Sequence, residues 1–478
     1  MSLKKNLLSN FILTSSTIVL PLITFPYITR TLSNASLGNV FFIDSFTQYF
    51  ILFASLGIPF YGLREVAKLK GNKQISSNLV IELVALQLFL SLFYIIIFFI
   101  LGLFVPKLVD NIRLIEIGSL MILSNSFSIE WFYQGIEKFS YITKRSLIFK
   151  ILSVIAILVF VKNKYDSGIY YFILASVMIA NAIVNFGYFF KNHFAGFKFE
   201  VNIMRHLKPL LVLFSINASL SIYVILDSII LGFLTDALNV SYYNIPLKLV
   251  KIFWMIISGV GLVFIPRISF LHKTNNKEEI KNLISKSISI VLLFSLPFSF
   301  FCILFPEQIL MIISGSKYLK SSMALQILSI MPLIIGLCNV FGTQFLLPIG
   351  KERKILVATI IGLTVSLIIN FVLIPSIGFL GSAIAAVIAE ISVCLYVFLA
   401  AKKEIKIFID YKLLIQIFCC LFSTLILFLI YKRHFIGIPL MVTTFGSFLI
   451  FFLVSQIFFK NNFLSSLINI NKILKRKL

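Results

Sequence analysis

LVIELVALQLFLSLFYIIIFFILGLF, residues 79–104, carries one charged side chain, Glu82, in a run long enough to cross about 30 Å of hydrocarbon as a helix. Comparable apolar runs begin near residues 7, 38, 79, 112, 146, 169, 208, 245, 284, 322, 354, 378, 412 and 436 of the 478-residue chain. Lipid offers no partner to an unpaired backbone N–H or C=O, so each run is expected to be helical. The fold class that follows is all-α: a polytopic membrane protein with about fourteen transmembrane helices. Composition agrees, with 59% hydrophobic and only 13% charged residues, against about a quarter charged in soluble domains.

A net charge of +24 on a soluble chain would raise nucleic-acid binding first. Here position decides otherwise, and no nucleic-acid partner is expected. Most of the 42 Lys and Arg fall in the two tails and the even-numbered loops, which by the positive-inside rule puts both termini in the cytoplasm. Lys4 and Lys5 ahead of Asn6–Pro26 resemble the start of a signal peptide. Pro21 and Pro26 interrupt that stretch and no small-residue cleavage site follows, so it reads as a retained first helix. The loops are short, and an enzyme building glycans would need a catalytic carboxylate or acidic metal cluster in a sizeable one. The chain therefore reads as no enzyme, with a membrane glycosyltransferase or polymerase as the rival from another class. Five cysteines without CxxC spacing and four histidines scattered in loops make no metal site.

An offset of about 202 residues aligns TLSNA (31–35) with FLTDA (233–237) and Arg64 with Arg267, the faint internal repeat of a two-half transporter. The domains expected are a six-helix bundle over 1–207, a second over 208–403, and two extra helices with a basic cytoplasmic tail over 404–478.

Four segments carry a family resemblance: GIPFYGLREVAK (57–68), EWFYQGIEKFSYIT (130–143), LDSIILGFLTDALNVSYYN (226–244), and the stretch from FGTQFLLPIGKER through Asn370 and Pro375 to GFLGSAIAAVIAE, ending at Glu390. They resemble Wzx-type polysaccharide repeat-unit flippases of the multidrug/oligosaccharidyl-lipid/polysaccharide exporter superfamily. Trp131, Gln134, Gly135 and Glu137 are the most specific match. One departure is Ser241, where such proteins commonly carry Gly. The resemblance implies a V-shaped, MATE-like pair of bundles in the bacterial cytoplasmic (inner) membrane. It also implies alternating access, with an isoprenoid (undecaprenyl)-diphosphate-linked oligosaccharide of O-antigen, capsule or exopolysaccharide synthesis as cargo. Its partners would be that lipid-linked oligosaccharide, membrane lipid, and assembly proteins such as a polymerase and a chain-length regulator. A lipid II flippase and a cation-coupled drug exporter are the alternatives within the superfamily. A non-transporting scaffold of the assembly complex would leave the intramembrane charges unexplained.

Sugars and a diphosphate cross hydrocarbon only inside a polar cavity. Lys248 and Lys251 share a face of the eighth span, where each charge costs roughly 2.5–3.5 kcal/mol on insertion scales; snorkelling to the interface is the competing reading. Arg30, Arg64 and Arg267 end spans at either mouth and carry forked donors suited to phosphate. Together these five form the expected cationic, substrate-binding set. Asp44, Glu130 and Asp227 are candidates for ion coupling, balanced against structural pairing, whereas Glu82, Glu116 and Glu390 read as structural. No cofactor is implied beyond a proton or sodium gradient. Pro21 and Pro26 are expected to break span one.

Overall fold

A computed structural model of the chain describes residues 3–69, 73–196, 204–261, 264–408 and 410–458. The expected basic tail and part of the loop around 197–203 lie outside the described residues. The helices run in chain order α1 (Leu3–Thr31), α2 (Asn34–Ser55), α3 (Ile58–Lys68), α4 (Lys73–Phe104), α5 (Pro106–Val109), α6 (Ile112–Asn125) and α7 (Glu130–Gly135). Next come α8 (Phe139–Phe160), α9 (Ser167–Asn192), α10 (Met204–Leu234), α11 (Ala237–Gly261), α12 (Phe264–Lys273), α13 (Lys277–Leu304) and α14 (Pro306–Ile313). A 3-10 turn (Ser316–Ser321) leads to α15 (Ser322–Leu328), α16 (Met331–Asn339) and a π-helical stretch (Val340–Leu346). The chain ends in α17 (Glu352–Ile377), α18 (Phe379–Glu404), α19 (Tyr411–Tyr431) and α20 (Ile438–Phe458).

Among the described residues, ten helical stretches are long and apolar enough to cross a membrane, or eleven if the bent pair Ala237–Gly259 and Phe264–Lys273 is one span. The protein is a multi-pass, all-helical membrane protein. One boundary is corrected. The fifth expected span, placed near 146, begins at Phe139, so Lys144, Arg145 and Lys150 lie inside α8. Arg145 is accommodated there by an ion pair with Glu130. A second correction concerns α1, which runs unbroken through Pro21 and Pro26. Hydroxyls of Thr24 and Thr29 bond the carbonyls of Leu20, Pro21, Phe25 and Pro26 in those turns, the side-chain compensation that lets a membrane helix carry proline.

Side-chain caps start several helices. Ser33 accepts from Ser36 N at 3.1 Å ahead of α2, Asn276 from Glu279 N ahead of α13, and Asp410 from Lys412 and Leu413 N ahead of α19. Between α2 and α3 the chain turns at Leu56 and Gly57, both with positive φ. Only glycine suits the second position, since a Cβ there would lie 2.9 Å from the Phe214 backbone nitrogen.

Internal contacts divide the chain into two compact units. The first comprises Met1–Pro246, Ile313–Ser321 and Thr359–Ala389. In it α1 packs on α8, α2 on α4, α6 and α10, and α9 on α6 and α8. The second comprises Leu247–Ile312, Ser322–Ala358 and Glu390–Leu478. There α13 packs on α12, α16 and α19, and α19 on α20, around Ile284, Ile288, Phe301, Phe345 and Ile417.

Candidate functional site

Three helices of the first unit converge on Asp227. Helix α10 supplies the carboxylate, α17 supplies Ser366 and Asn370 one turn apart on one face, and α11 supplies Tyr243. Ser366 Oγ donates to Asp227 Oδ1 at 2.8 Å, Asn370 Nδ2 to the same oxygen at 2.6 Å, and Tyr243 OH to Oδ2 at 3.0 Å. All four residues are buried. Beside them Ser228 Oγ donates to Asn244 Oδ1 at 3.1 Å. Asn370 Oδ1 is buried without a hydrogen-bond partner, and such a group calls for a water or an ion. Carboxylate, hydroxyl and amide oxygens together form the hard-oxygen set that cations take. A buried carboxylate is equally able to hold a proton. The centre is built from two segments that resemblance singled out, 226–244 and the stretch running through Asn370.

The other two segments meet elsewhere in the same unit. In helix α3, Gly62 lies so close to Trp131 of α7 that an added Cβ would fall 2.4–2.7 Å from the indole. Trp131, Phe132 and Tyr133 are buried in one cluster with Ile58, Tyr61 and Val66. Gly135 packs on Val66, and Glu137 adopts a positive φ of 59°, its N–H donating to Gln134 O at 3.0 Å. These motif residues build a tight turn and a packed platform.

Residues 3–272, more than half of the chain, match the family described as polysaccharide biosynthesis protein. The chain belongs to this family. Residues 213–372 also match the MatE family. A putative O-antigen transporter of Escherichia coli (strain K12) is 26% identical over 396 residues, covering 82% of this chain and 94% of the relative. A probable low-salt glycan biosynthesis flippase of Haloferax volcanii is 26% identical over 164 residues, 34% of each chain. The structure of the lipid II flippase MurJ in an inward closed conformation superposes with a TM-score of 0.76 at 16% identity, over 95% of this chain and 99% of that one. An inward-facing MATE family transporter of the MOP superfamily gives 0.63 at 16%, over 81% and 94%. The fold is thus the one these transporters share, and the resemblance to Wzx-type flippases of that superfamily holds.

In this family member the other anticipated residues stand apart from the Asp227 centre. Arg30 ends α1, where Lys317 Nζ donates to Arg30 O at 2.8 Å and Asn34 Nδ2 to Lys317 O at 3.0 Å. Arg64 donates to Glu65 at 3.0 Å, and Arg267 pairs with Glu279. Lys248 and Lys251 lie half-buried in the second-unit part of α11. Asp44 accepts from Gln48 at 3.5 Å, and Glu130 pairs with Arg145. Glu82, read as structural, accepts from Arg205 at 2.6 Å with His206 at 2.8 Å.

Three features went unread. Lys107 donates to the carbonyls of Gly232, Phe233 and Thr235, closing the C-terminus of α10. It borders a cleft of about 210 Å3 that Asn39, Asp110, Asn111 and Asp236 also line. His206 bonds Tyr61 OH at 2.7 Å, although histidines looked confined to loops. Arg145 is buried in α8, ahead of the expected start of the fifth span near 146. For it a signal existed: Lys144, Arg145 and Lys150 interrupt one apolar run.

Proposed function

We propose that the protein is a flippase that carries isoprenoid (undecaprenyl)-diphosphate-linked oligosaccharide repeat units across the bacterial cytoplasmic membrane. The cargo serves O-antigen, capsule or exopolysaccharide synthesis. The observation that carries this reading is the match to the E. coli putative O-antigen transporter over nearly its whole length. In this reading all fourteen expected helices cross, both termini are cytoplasmic, and two six-helix bundles over 1–207 and 208–403 alternate access, followed by two further helices. Lys248, Lys251, Arg30, Arg64 and Arg267 contact the diphosphate and sugars in a cationic cavity, because a cation there replaces the water that the diphosphate leaves behind. Asp227 takes the coupling proton or sodium ion, supported by its burial among Ser366, Asn370 and Tyr243 and by the unpartnered Asn370 oxygen. Delivered cargo passes to polysaccharide assembly proteins.

The test is reconstitution in liposomes with a short-chain, fluorescent, diphosphate-linked oligosaccharide in the inner leaflet, following its arrival outside under imposed proton or sodium gradients. Wild type is expected to move it, and Lys248→Ala plus Lys251→Ala, folded by its melting in detergent, is not. Wild type that moves none of it yet exports a cationic dye would replace the flippase reading with a drug exporter. Transport of lipid II in its place would shift the cargo.

A further inference from the structure

Three parts of the first unit meet at one of its ends: the start of α2, the turn between α5 and α6, and the turn from α10 into α11. They enclose the cleft of about 210 Å3. Its walls are fixed by close contacts. A Cβ on Gly38 of α2 would fall 1.8 Å from Ala237 O, and one on Gly232 of α10 would fall 2.1 Å from the Phe42 ring. Lys107 fastens the third wall through its bonds to the last carbonyls of α10. Walls set before a ligand arrives leave little ordering to be done on binding. Helix α10 ends at Leu234, about 10 Å along its axis past Asp227, so the cleft is separate from that centre.

The polar groups of the lining are mostly acceptors. Asp236 Oδ1 accepts from Asn239 N at 2.8 Å and from Asn239 Nδ2 at 2.9 Å, and Asn111 Nδ2 donates to Lys107 O at 3.1 Å. Among the described residues, nothing else bonds these two side chains, and nothing bonds those of Asn39 and Asp110. One Asp236 oxygen, the Asp110 carboxylate and the Asn111 oxygen are left to accept, and the Asn39 amide both donates and accepts. Phe42 and Val240 supply an apolar part.

This set selects among ligands. An anion is opposed, because two aspartates outnumber the one lysine. A bare cation finds the α10 carbonyls already bonded to the Lys107 ammonium, and among the described residues no three Asp, Glu, His or Cys stand together to hold a metal. A neutral ring with several hydroxyls brings the hydrogens that carboxylates accept most strongly, and its C–H face covers the apolar part. Waters bond the same groups one at a time and leave that part wet. The volume is below the roughly 300 Å3 at which drug-sized pockets begin, which suits one ring rather than a chain.

We propose that this cleft is a carbohydrate subsite that takes one neutral sugar ring, its hydroxyls held by Asn39, Asp110, Asn111 and Asp236. The sugar chemistry follows from the lining itself. The side of the membrane rests on the flippase reading: with the N-terminus cytoplasmic, α1, α4 and α10 all end at the outer face, and the cleft opens there. The ring belongs either to the lipid-linked oligosaccharide or to a lipid-free glycan at that face.

The experiment titrates the full chain in nanodiscs with the methyl glycosides of glucose, galactose, rhamnose and N-acetylglucosamine, reading bound sugar by saturation-transfer NMR. At least one is expected to bind saturably. Asp110→Asn, an exposed substitution that removes a charged acceptor, weakens that binding about tenfold. Asn39→Phe, which fills the cleft, abolishes it in a protein that melts like wild type; should that variant not fold, Asp110→Asn decides. Binding of none of the four glycosides overturns the proposal, as does binding that the folded variants leave unchanged. Stronger displacement of the glycoside by a short-chain diphosphate-linked oligosaccharide bearing the same sugar assigns the ring to cargo, and equal or stronger displacement by the lipid-free oligosaccharide assigns it to a free glycan. Liposome transport without glycoside binding removes the cleft alone, whereas glycoside binding without transport keeps the cleft and removes the flippase reading.

Discussion

Asp227 and Glu82 are both buried carboxylates of the first unit, and the hydrogen bonds that hold them differ. Glu82 lies against Arg205 at 2.6 Å and His206 at 2.8 Å, and His206 in turn touches Tyr61. Its charge is met by an arginine, and the cluster fastens the beginning of α10 to α3 and α4. Asp227 receives hydrogen bonds from Ser366, Asn370 and Tyr243, all neutral. These three donors tie the carboxylate to α11 and α17. The first arrangement is an anchor, and the second is the place where we propose that a proton or cation is taken up.

The sharpest way to break this contrast is Asp227→Asn. In liposomes its stimulation by a proton or sodium gradient is expected to fall by about 5- to 150-fold, the range of ordinary coupling free energies, in a protein that still folds. Loss of folding with retained coupling would make Asp227 the anchor. Glu82→Gln is expected to do the reverse: gradient stimulation persists in the folded fraction, and stability drops by about 3 kcal/mol. That is the low end for breaking a buried pair, because Arg205 is half exposed.

Gly62→Ala extends the contrast to the motif segments. The new methyl meets the Trp131 ring, and overpacking of this kind costs about 1–3 kcal/mol. Melting should fall by that amount, with coupling through Asp227 untouched; a selective loss of coupling would join the platform to the transport centre.

The helical plan was legible because lipid permits little else: a run such as 79–104 has one backbone solution. Asp227 was legible as a charge at membrane depth. Its partners were not, since Ser366, Asn370 and Tyr243 reach it from other helices and nothing local to those residues announces the meeting. Arg145 and Lys150 were hidden for another reason. Basic residues near a span end serve equally as orientation signals, and only packing against Glu130 and Ser16 reveals that the helix has begun before them. Trp131, Gln134, Gly135 and Glu137 were visible as a pattern, while their work as a turn and platform needed coordinates.

Acid should loosen the same platform. His193 follows α9, with Nε2 3.1 Å from Lys138 Nζ. Burial, then the charges of Lys138 and Lys73, push its pKa from 6.5 down to about 4. Between those values the unfolded chain binds the proton and the folded chain does not, so stability is full above pH 6.5 and declines as pH falls towards 4. Melting curves over that window should show the decline, and His193→Asn should flatten it.

The smallest effect is expected at Glu137, a non-glycine residue at φ 59°. The left-handed region costs an L-residue about 1 kcal/mol that glycine escapes. Comparing Glu137→Gly with Glu137→Ala isolates that backbone cost, because both variants lose the carboxylate and only alanine keeps the strain. Glycine should melt higher than alanine by the equivalent of about 1 kcal/mol. If Glu137→Gly also transports as well as wild type, the glutamate serves only the turn. If the glycine variant is the more stable yet transports less, the carboxylate contributes to function, and the division between a structural platform and a responsive Asp227 centre has to admit one exception.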